Sequence, residues 1–139
     1  MFALDDSGGL AVLRVRPLEE RGAIALFTLR PLTLAPGPVH DREVVARDRR
    51  RLVEAYLPRP PVVVRQVHGT LVLAVDAEQG RTGEQGWAGE LGWAGEDWSC
   101  WGQADGLATD VPGVPLAVFC ADCAPVYLYD PRRRAVAVL

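Results

Sequence analysis

The sequence has no lysine and no asparagine, and it contains only two histidines and three cysteines among 139 residues. All 15 basic residues are arginines, and 18 acidic residues bring the formal net charge to -3. A chain with this acidic balance has no electrostatic basis for binding nucleic acid or an anionic membrane. An odd number of cysteines, with two of them close together, suits a reducing compartment better than a disulfide framework.

Long apolar runs are absent as well. None approaches the roughly 20 residues that span a bilayer, so the sequence predicts no transmembrane helix and no membrane partner. Residues 1–10 carry Asp5 and Asp6 and lack the basic start and apolar core of a signal peptide. We therefore expect a cytoplasmic protein. The chain also lacks a Gly-rich phosphate loop of the Walker or dinucleotide type and a Gly-x-Ser-x-Gly elbow.

The composition that remains is that of a globular protein, with 49% hydrophobic and 24% charged residues in a length that fits one domain, residues 1–139. A helical period predicts a helix over residues 41–57, with Asp41 as its N-cap and Pro58 as its stop. Arg47, Arg50 and Arg51 are expected on its solvated face. Apolar patterns predict strands over residues 10–15, 23–29, 61–67, 71–75, 116–120, 125–129 and 135–139.

His68 and Cys123 lie at the ends of two of these apolar runs. Imidazole and thiolate are ligands that a catalytic zinc ion prefers, and such an ion commonly has three protein ligands and one open position. The alternative is a turn histidine and an inert buried thiol, because their wide separation carries no spacing signal. Asp122, beside Cys123, is a candidate catalytic residue that could orient a ligand or act as a base; capping a turn is its alternative role.

Cys120 and Cys123 also fit the Cys-x-x-Cys pattern of redox dithiols. In thioredoxin-type proteins that motif opens a helix, whereas here a proline and a predicted strand follow it. Three cysteines are too few for a four-cysteine zinc site. Asp105 and Asp110 lie in predicted loops, where capping is the ordinary role, and His40 precedes the helix cap.

Residues 77–102 are rich in glycine and tryptophan and repeat the segment GWAGE at 86–90 and 92–96. Two copies are too few for a solenoid. One interpretation is a duplication within a tolerant surface loop. The other is a stacking wall for a planar ligand, formed by Trp87, Trp93, Trp98 and Trp101.

Three separated blocks resemble a known family: RQVHG at 65–69, ADGLATDVPGV at 104–114 and ADCAPV at 121–126. The chain is similar here to the laccase-domain family (YfiH/YlmD type). Its members were once called multicopper polyphenol oxidases and are regarded as zinc-dependent purine nucleoside phosphorylases. The resemblance covers residues 62–139 and extends more loosely to the predicted helix.

The resemblance implies an α/β (α+β) fold of layered mixed β-sheets with flanking helices, and a zinc ion held by His, Cys and a second His. By position, His68 is the first ligand and Cys123 the second. It also implies purine nucleosides (adenosine, inosine and guanosine) and phosphate as substrates, with adenosine deaminase and methylthioadenosine phosphorylase activities besides. A single His-Cys-His centre cannot supply a multicopper cluster, so the polyphenol oxidase alternative is less credible.

The sequence departs from the family in two places. The family's third ligand comes from a His-Ala-Gly-Trp-Arg-Gly motif directly after the strand that matches residues 135–139, and this sequence stops short of it. The family's Arg-x-Gly-Gly and Leu-Asn-Leu-Gly loops are also missing. We therefore expect a phosphorylase domain that is incomplete at its C-terminus, with a non-catalytic remnant of the fold as the alternative. A homo-oligomer is left open.

Overall fold

The structure, a computed structural model, describes residues 1–35, 40–76 and 98–139. Within them the elements, in chain order, are β1 (Phe2–Asp5), β2 (Val12–Val15), α1 (Arg16–Glu19), β3 (Leu26–Thr28), α2 (Arg42–Tyr56), β4 (Val62–Arg65), β5 (Val72–Ala74), β6 (Ser99–Gln103), β7 (Gly106–Thr109), β8 (Leu116–Ala117), β9 (Tyr127–Asp130) and β10 (Ala135–Val138). The strands form three small sheets, ordered β1-β2-β3, β6-β4-β8 and β5-β7-β10-β9. The predicted mixed α and β fold is confirmed.

The central sheet, β6-β4-β8, is parallel throughout. Val62 of β4 lies opposite Ser99 of β6 on one side and opposite Leu116 of β8 on the other. Parallel strands point the same way, so the carboxyl ends of all three meet at one edge of the sheet. That edge is where open α/β sheets bind their ligands.

Strand β4 is buried on both faces and separates two hydrophobic clusters. Val62 and Val64 contribute to the cluster that contains Leu107, and Val63 contributes to the cluster that contains Trp98. Successive side chains of a strand point to opposite faces, so the predicted alternation along this segment is confirmed. Packing from both sides makes β4 a rigid support for the residues that follow it.

Helix α2 confirms the predicted helix to within a residue or two at either end. The carboxylate of Asp41 accepts a hydrogen bond from the backbone N–H of Glu43 at 2.8 Å, as expected of an N-cap. Arg47, Arg50 and Arg51 are exposed, in agreement with a solvated face.

Two charged residues of α2, Asp48 and Arg49, are each only 2% exposed, which the periodicity did not indicate. Asp48 accepts from the backbone N–H of Thr33 at 3.0 Å and pairs with Arg47 at 2.9 Å. The Nε of Arg49 donates to the carbonyl of Leu34 at 2.9 Å. Its guanidinium lies 4.7 Å from the ring centre of Trp98. Burial is tolerated because each charge has polar or aromatic partners.

Four elements were not predicted: strand β1, the short helix α1 and strands β6 and β7. Strand β6 lies at the end of the Gly/Trp-rich region that was read as a loop. Trp98 is 3% exposed and belongs to one core cluster, while Trp101 packs against the other, so Trp98 offers no exposed face for stacking a ligand. Trp87, Trp93 and the repeat lie outside the described residues.

The sheet β5-β7-β10-β9 has one face in the core and one apolar outer face. Leu107, Val138 and Tyr127 lie opposite one another on the core face. The outer face carries Ala74, Ala108, Ala137 and Leu128 in register, and Leu128 is 55% exposed. The predicted strands over residues 61–67 and 71–75 correspond to β4 and β5, which belong to different sheets.

No helix in the described part of the chain is long and apolar enough to cross a membrane.

Candidate functional site

His68 lies three residues beyond the end of β4, at the carboxyl edge of the central sheet. It is exposed, and its φ of 59° places it in the left-handed region. Few residues other than glycine adopt this conformation, although histidine is among those enriched there. Such strain costs about 1–3 kcal/mol and persists only where surrounding contacts enforce it.

The contacts that hold the His68 backbone in this left-handed conformation come from Asp105. One carboxylate oxygen, Oδ1, accepts from the backbone N–H of Val67 at 2.9 Å and of His68 at 2.7 Å, and Oδ2 accepts from that of Gly69 at 2.7 Å. Three successive amides converging on one anion form the concave arrangement by which backbones bind anions. Hydrogen bonds to an ionised carboxylate are about twice as strong as neutral ones.

Asp105 is ionised at neutral pH. Burial, the largest single influence, acts to raise its pKa, but the N–H groups of Gly69, His68 and Val67 and the charge of His68 together hold the pKa below its usual value. The carboxylate therefore carries the negative charge that the three amides require.

The backbone on both sides of the turn fixes the position of Asp105. Ala104 N donates to the carbonyl of Arg65 at 3.1 Å, and Asp105 N donates to the carbonyl of Leu71 at 2.9 Å. Residue 65 precedes the His68 turn and residue 71 follows it. The two residues that follow β6 are thus hydrogen-bonded to both ends of the turn whose amides bind the Asp105 carboxylate.

A second contact connects this turn to the segment that carries Cys123. The side-chain Oε1 of Gln66 accepts from the backbone N–H of Phe119 at 2.8 Å. Phe119 follows β8, and its ring stacks on Trp98 with ring centres 6.1 Å apart. The segment 118–123 therefore leaves the sheet beside the end of β4. Its residue Phe119 is bonded to Gln66, which lies two residues before His68.

Cys123 and Asp122 are both exposed. The Cys123 thiol donates to Asp122 Oδ1 at 3.8 Å. This exposure corrects one part of the sequence analysis, since the alternative of an inert buried thiol does not apply to Cys123; the buried thiol is Cys100. The contact is compatible with Asp122 orienting the sulfur, and that role stays a prediction.

The redox alternative for Cys120 and Cys123 stays a prediction. Burial, followed by the charge of Cys123, raises the pKa of the Cys120 thiol. A redox dithiol needs a lowered pKa on only one of its two sulfurs, so a raised pKa on Cys120 is compatible with either role. Cys120, Cys123 and Cys100 are all free thiols.

The described residues do not complete a metal centre by themselves. Among residues 1–35, 40–76 and 98–139, no group of three or more His, Cys, Asp or Glu side chains has an arrangement that could hold a metal ion. Catalytic zinc sites commonly have three protein ligands. His68 and Cys123 are two donors of the right type, so a zinc ion here needs a further donor.

His68, Cys123 and Asp122 were candidates from the sequence alone, whereas Asp105 was expected only to cap a turn. The role of Asp105 was missed because strands β6 and β7, between which it lies, were not recognised from the sequence. The bonding role of Gln66 was missed as well. Gln66 and Asp105 both lie in the blocks that resemble the laccase-domain family, and this was the one feature of the sequence that could have pointed to them.

The chain is similar in sequence to a known protein family and to several of its members. Residues 29–139 match the family described as multi-copper polyphenol oxidoreductase laccase. A purine nucleoside phosphorylase of Xylella fastidiosa is 40% identical over 108 residues, which cover 76% of this chain and 36% of that protein. A purine nucleoside phosphorylase of Mycobacterium bovis is 30% identical over 99% of this chain and 49% of its own length.

A solved structure shows the same fold. The crystal structure of the Bacillus licheniformis hypothetical protein YfiH aligns with a TM-score of 0.70 and 22% identity, covering 97% of this chain and 50% of that one. The chain thus spans about half or less of the length of these relatives. With four-fifths of its residues matched by the family pattern, this chain belongs to the laccase-domain (YfiH-type) family.

Proposed function

We propose that this chain is part of a purine nucleoside phosphorylase whose site lies at the carboxyl edge of the central sheet. The observation that carries the proposal is the placement of His68 and Cys123 beyond the ends of β4 and β8, two adjacent parallel strands. Relatives that are 30–40% identical are named purine nucleoside phosphorylases.

In the proposed reaction, a phosphate oxygen forms a bond to the anomeric carbon of the ribose. The bond between that carbon and the purine nitrogen breaks, and its electron pair leaves with the base, which takes up a proton. The products are the free purine and ribose 1-phosphate. Inosine, adenosine and guanosine are the proposed nucleosides. Adenosine deamination and methylthioadenosine cleavage are proposed as further activities of the same site.

We propose zinc as the cofactor, with His68 and Cys123 as two of its ligands. Zinc at such a site would supply a Lewis acid. Since no group of three or more such donors among the described residues could hold a metal ion, we assign no reaction step to the metal. The role proposed for Asp122 is to orient the Cys123 sulfur through the 3.8 Å contact.

The test is release of hypoxanthine from inosine by the purified 139-residue chain, supplied with zinc, in the presence and absence of phosphate. We expect release that depends on phosphate and that is lost in His68→Asn, because asparagine accepts the left-handed conformation but removes the imidazole. Cys123→Ser should lose activity as well.

The chain offers matched controls for both substitutions. His40→Asn replaces the other histidine, which is exposed before α2, and Cys120→Ser replaces the other cysteine of the Cys-x-x-Cys pair; both should retain release. Absence of release with zinc present would contradict the proposal and favour a non-catalytic remnant of the fold. Oxygen consumption with a phenolic substrate would instead favour the polyphenol oxidase alternative.

A further inference from the structure

We infer that Asp105 is a positioning residue for the zinc ligand His68. Its carboxylate binds the three backbone N–H groups of the turn and thereby fixes the backbone conformation from which the imidazole projects. This inference rests on the proposed function, because it takes His68 as a ligand. Asp105 itself is bonded to the backbone of the turn and is not proposed to touch the metal or the substrate.

The hydrogen bonds of Asp105 are specific to the turn that carries His68. Both carboxylate oxygens are used, and all three distances lie between 2.7 and 2.9 Å. The amides belong to consecutive residues with His68 in the middle. A carboxylate that merely capped a local turn would bond within its own segment, whereas Asp105 reaches across 36 to 38 positions of sequence.

The backbone conformation of His68 requires support from neighbouring residues. Its left-handed backbone is unfavourable for a residue with a side chain. Without the three bonds, the turn would relax toward extended or right-handed conformations and the imidazole would point elsewhere. Metal ligands need support of this kind, because partners around a ligand set its orientation and their loss typically costs about 10- to 100-fold in metal affinity.

The close approach of Asp105 to the turn also restricts residue 69. A methyl group on Gly69 would lie 3.2 Å from Asp105 Oδ2, which is tighter than an ordinary contact. The carboxylate therefore sits directly against the backbone of the turn, leaving little room for a side chain on residue 69. Position 69 favours glycine because of this close approach, since its φ is not among the positive ones.

The test substitutes Asp105→Asn, which keeps the shape but replaces one acceptor oxygen with an NH2 group that faces a donor. The control is Asp110→Asn, an exposed aspartate five residues away. Zinc affinity of the full chain is measured by competition with a chelator. We expect Asp105→Asn to weaken zinc binding about 10- to 100-fold and Asp110→Asn to leave it unchanged.

Two further measurements separate positioning from a general loss of structure. The imidazole nitrogen shifts of His68, recorded by NMR, should change on adding zinc to the wild-type chain. The same change in Asp105→Asn should need about 10- to 100-fold more free zinc, while cadmium still gives the thiolate absorption of Cys123. In the wild-type chain without metal, the amide protons of Val67, His68 and Gly69 should be protected from hydrogen exchange. This measurement does not depend on whether the variant folds.

The outcomes distinguish the two proposals. If the wild-type chain binds zinc through His68 and the Asp105→Asn variant binds it with equal affinity, the positioning role is overturned and the proposed function stands. Unprotected amides in the wild-type chain overturn it too. A wild-type chain whose zinc binding is absent, or is unchanged in His68→Asn, overturns the zinc site itself.

Discussion

At the residue scale, two leucines of one sheet show how position decides what a side chain contributes. Leu107 is fully buried on the core face of β7, between β5 and β10. Leu128 lies on the outer face of β9 and is 55% exposed. The same apolar side chain therefore has very different surroundings two strands apart in one sheet.

We expect Leu107→Ala to lower the free energy of unfolding by about 2–5 kcal/mol, because it removes buried methyl groups and leaves a cavity. Leu128→Ala is the matched control and should change it by no more than about 0.5 kcal/mol. Urea unfolding followed by circular dichroism measures both. Equal effects of the two substitutions would contradict the assignment of core and outer face.

Asp48 predicts a pH dependence of stability. Burial acts to raise its pKa, but the N–H of Thr33 and the charges of Arg47 and Arg51 hold the pKa below the usual 3.8. The folded state thus binds this proton less readily than the unfolded state. The stabilisation is fully present above the unfolded pKa and is lost as the pH falls through the folded value.

For Asp48→Asn we expect a loss of about 1–3 kcal/mol at pH 7, since bonds to a charged acceptor are removed. The difference between wild type and variant should shrink when urea unfolding is repeated near pH 3. A difference that is the same at both pH values would show that the ionised form of Asp48 contributes nothing.

At the element scale, helix α2 was predictable because its signals are local. A capping aspartate, a helical period and a following proline all lie within residues 41–58. Strand β4 was predictable for a similar reason, as its run of valines is short and apolar and directly follows two prolines. Strand β6 was not, because residues 99–103 become a strand only by pairing with β4, which lies more than 30 positions away.

The N-cap of α2 gives a prediction at this scale. Asp41→Ala should lower the free energy of unfolding by about 1 kcal/mol, because the N–H of Glu43 loses its acceptor. Asp41→Ser keeps an acceptor and should restore most of that loss. The urea midpoints of the three proteins test the cap, and an alanine variant as stable as wild type would refute it.

At the scale of the whole molecule, parallel pairing of β6, β4 and β8 collects residues that are far apart in sequence at one edge. His68 and Cys123 were found from sequence because each follows an apolar run and lies in a block that resembles the family. Their placement beyond adjacent strands could not be found that way, since strand order depends on long-range packing. The partnership of Asp105 with the His68 turn was hidden for the same reason.

The central claim is that His68 and Cys123 bind one zinc ion together, and X-ray absorption at the zinc edge tests it most directly. With one equivalent of zinc bound to the wild-type chain, we expect one sulfur at about 2.3 Å and an imidazole nitrogen at about 2.0–2.1 Å. Cys123→Ser should remove the sulfur and Cys120→Ser should leave it. A zinc ion surrounded only by oxygen, or a sulfur that survives Cys123→Ser, would contradict the account.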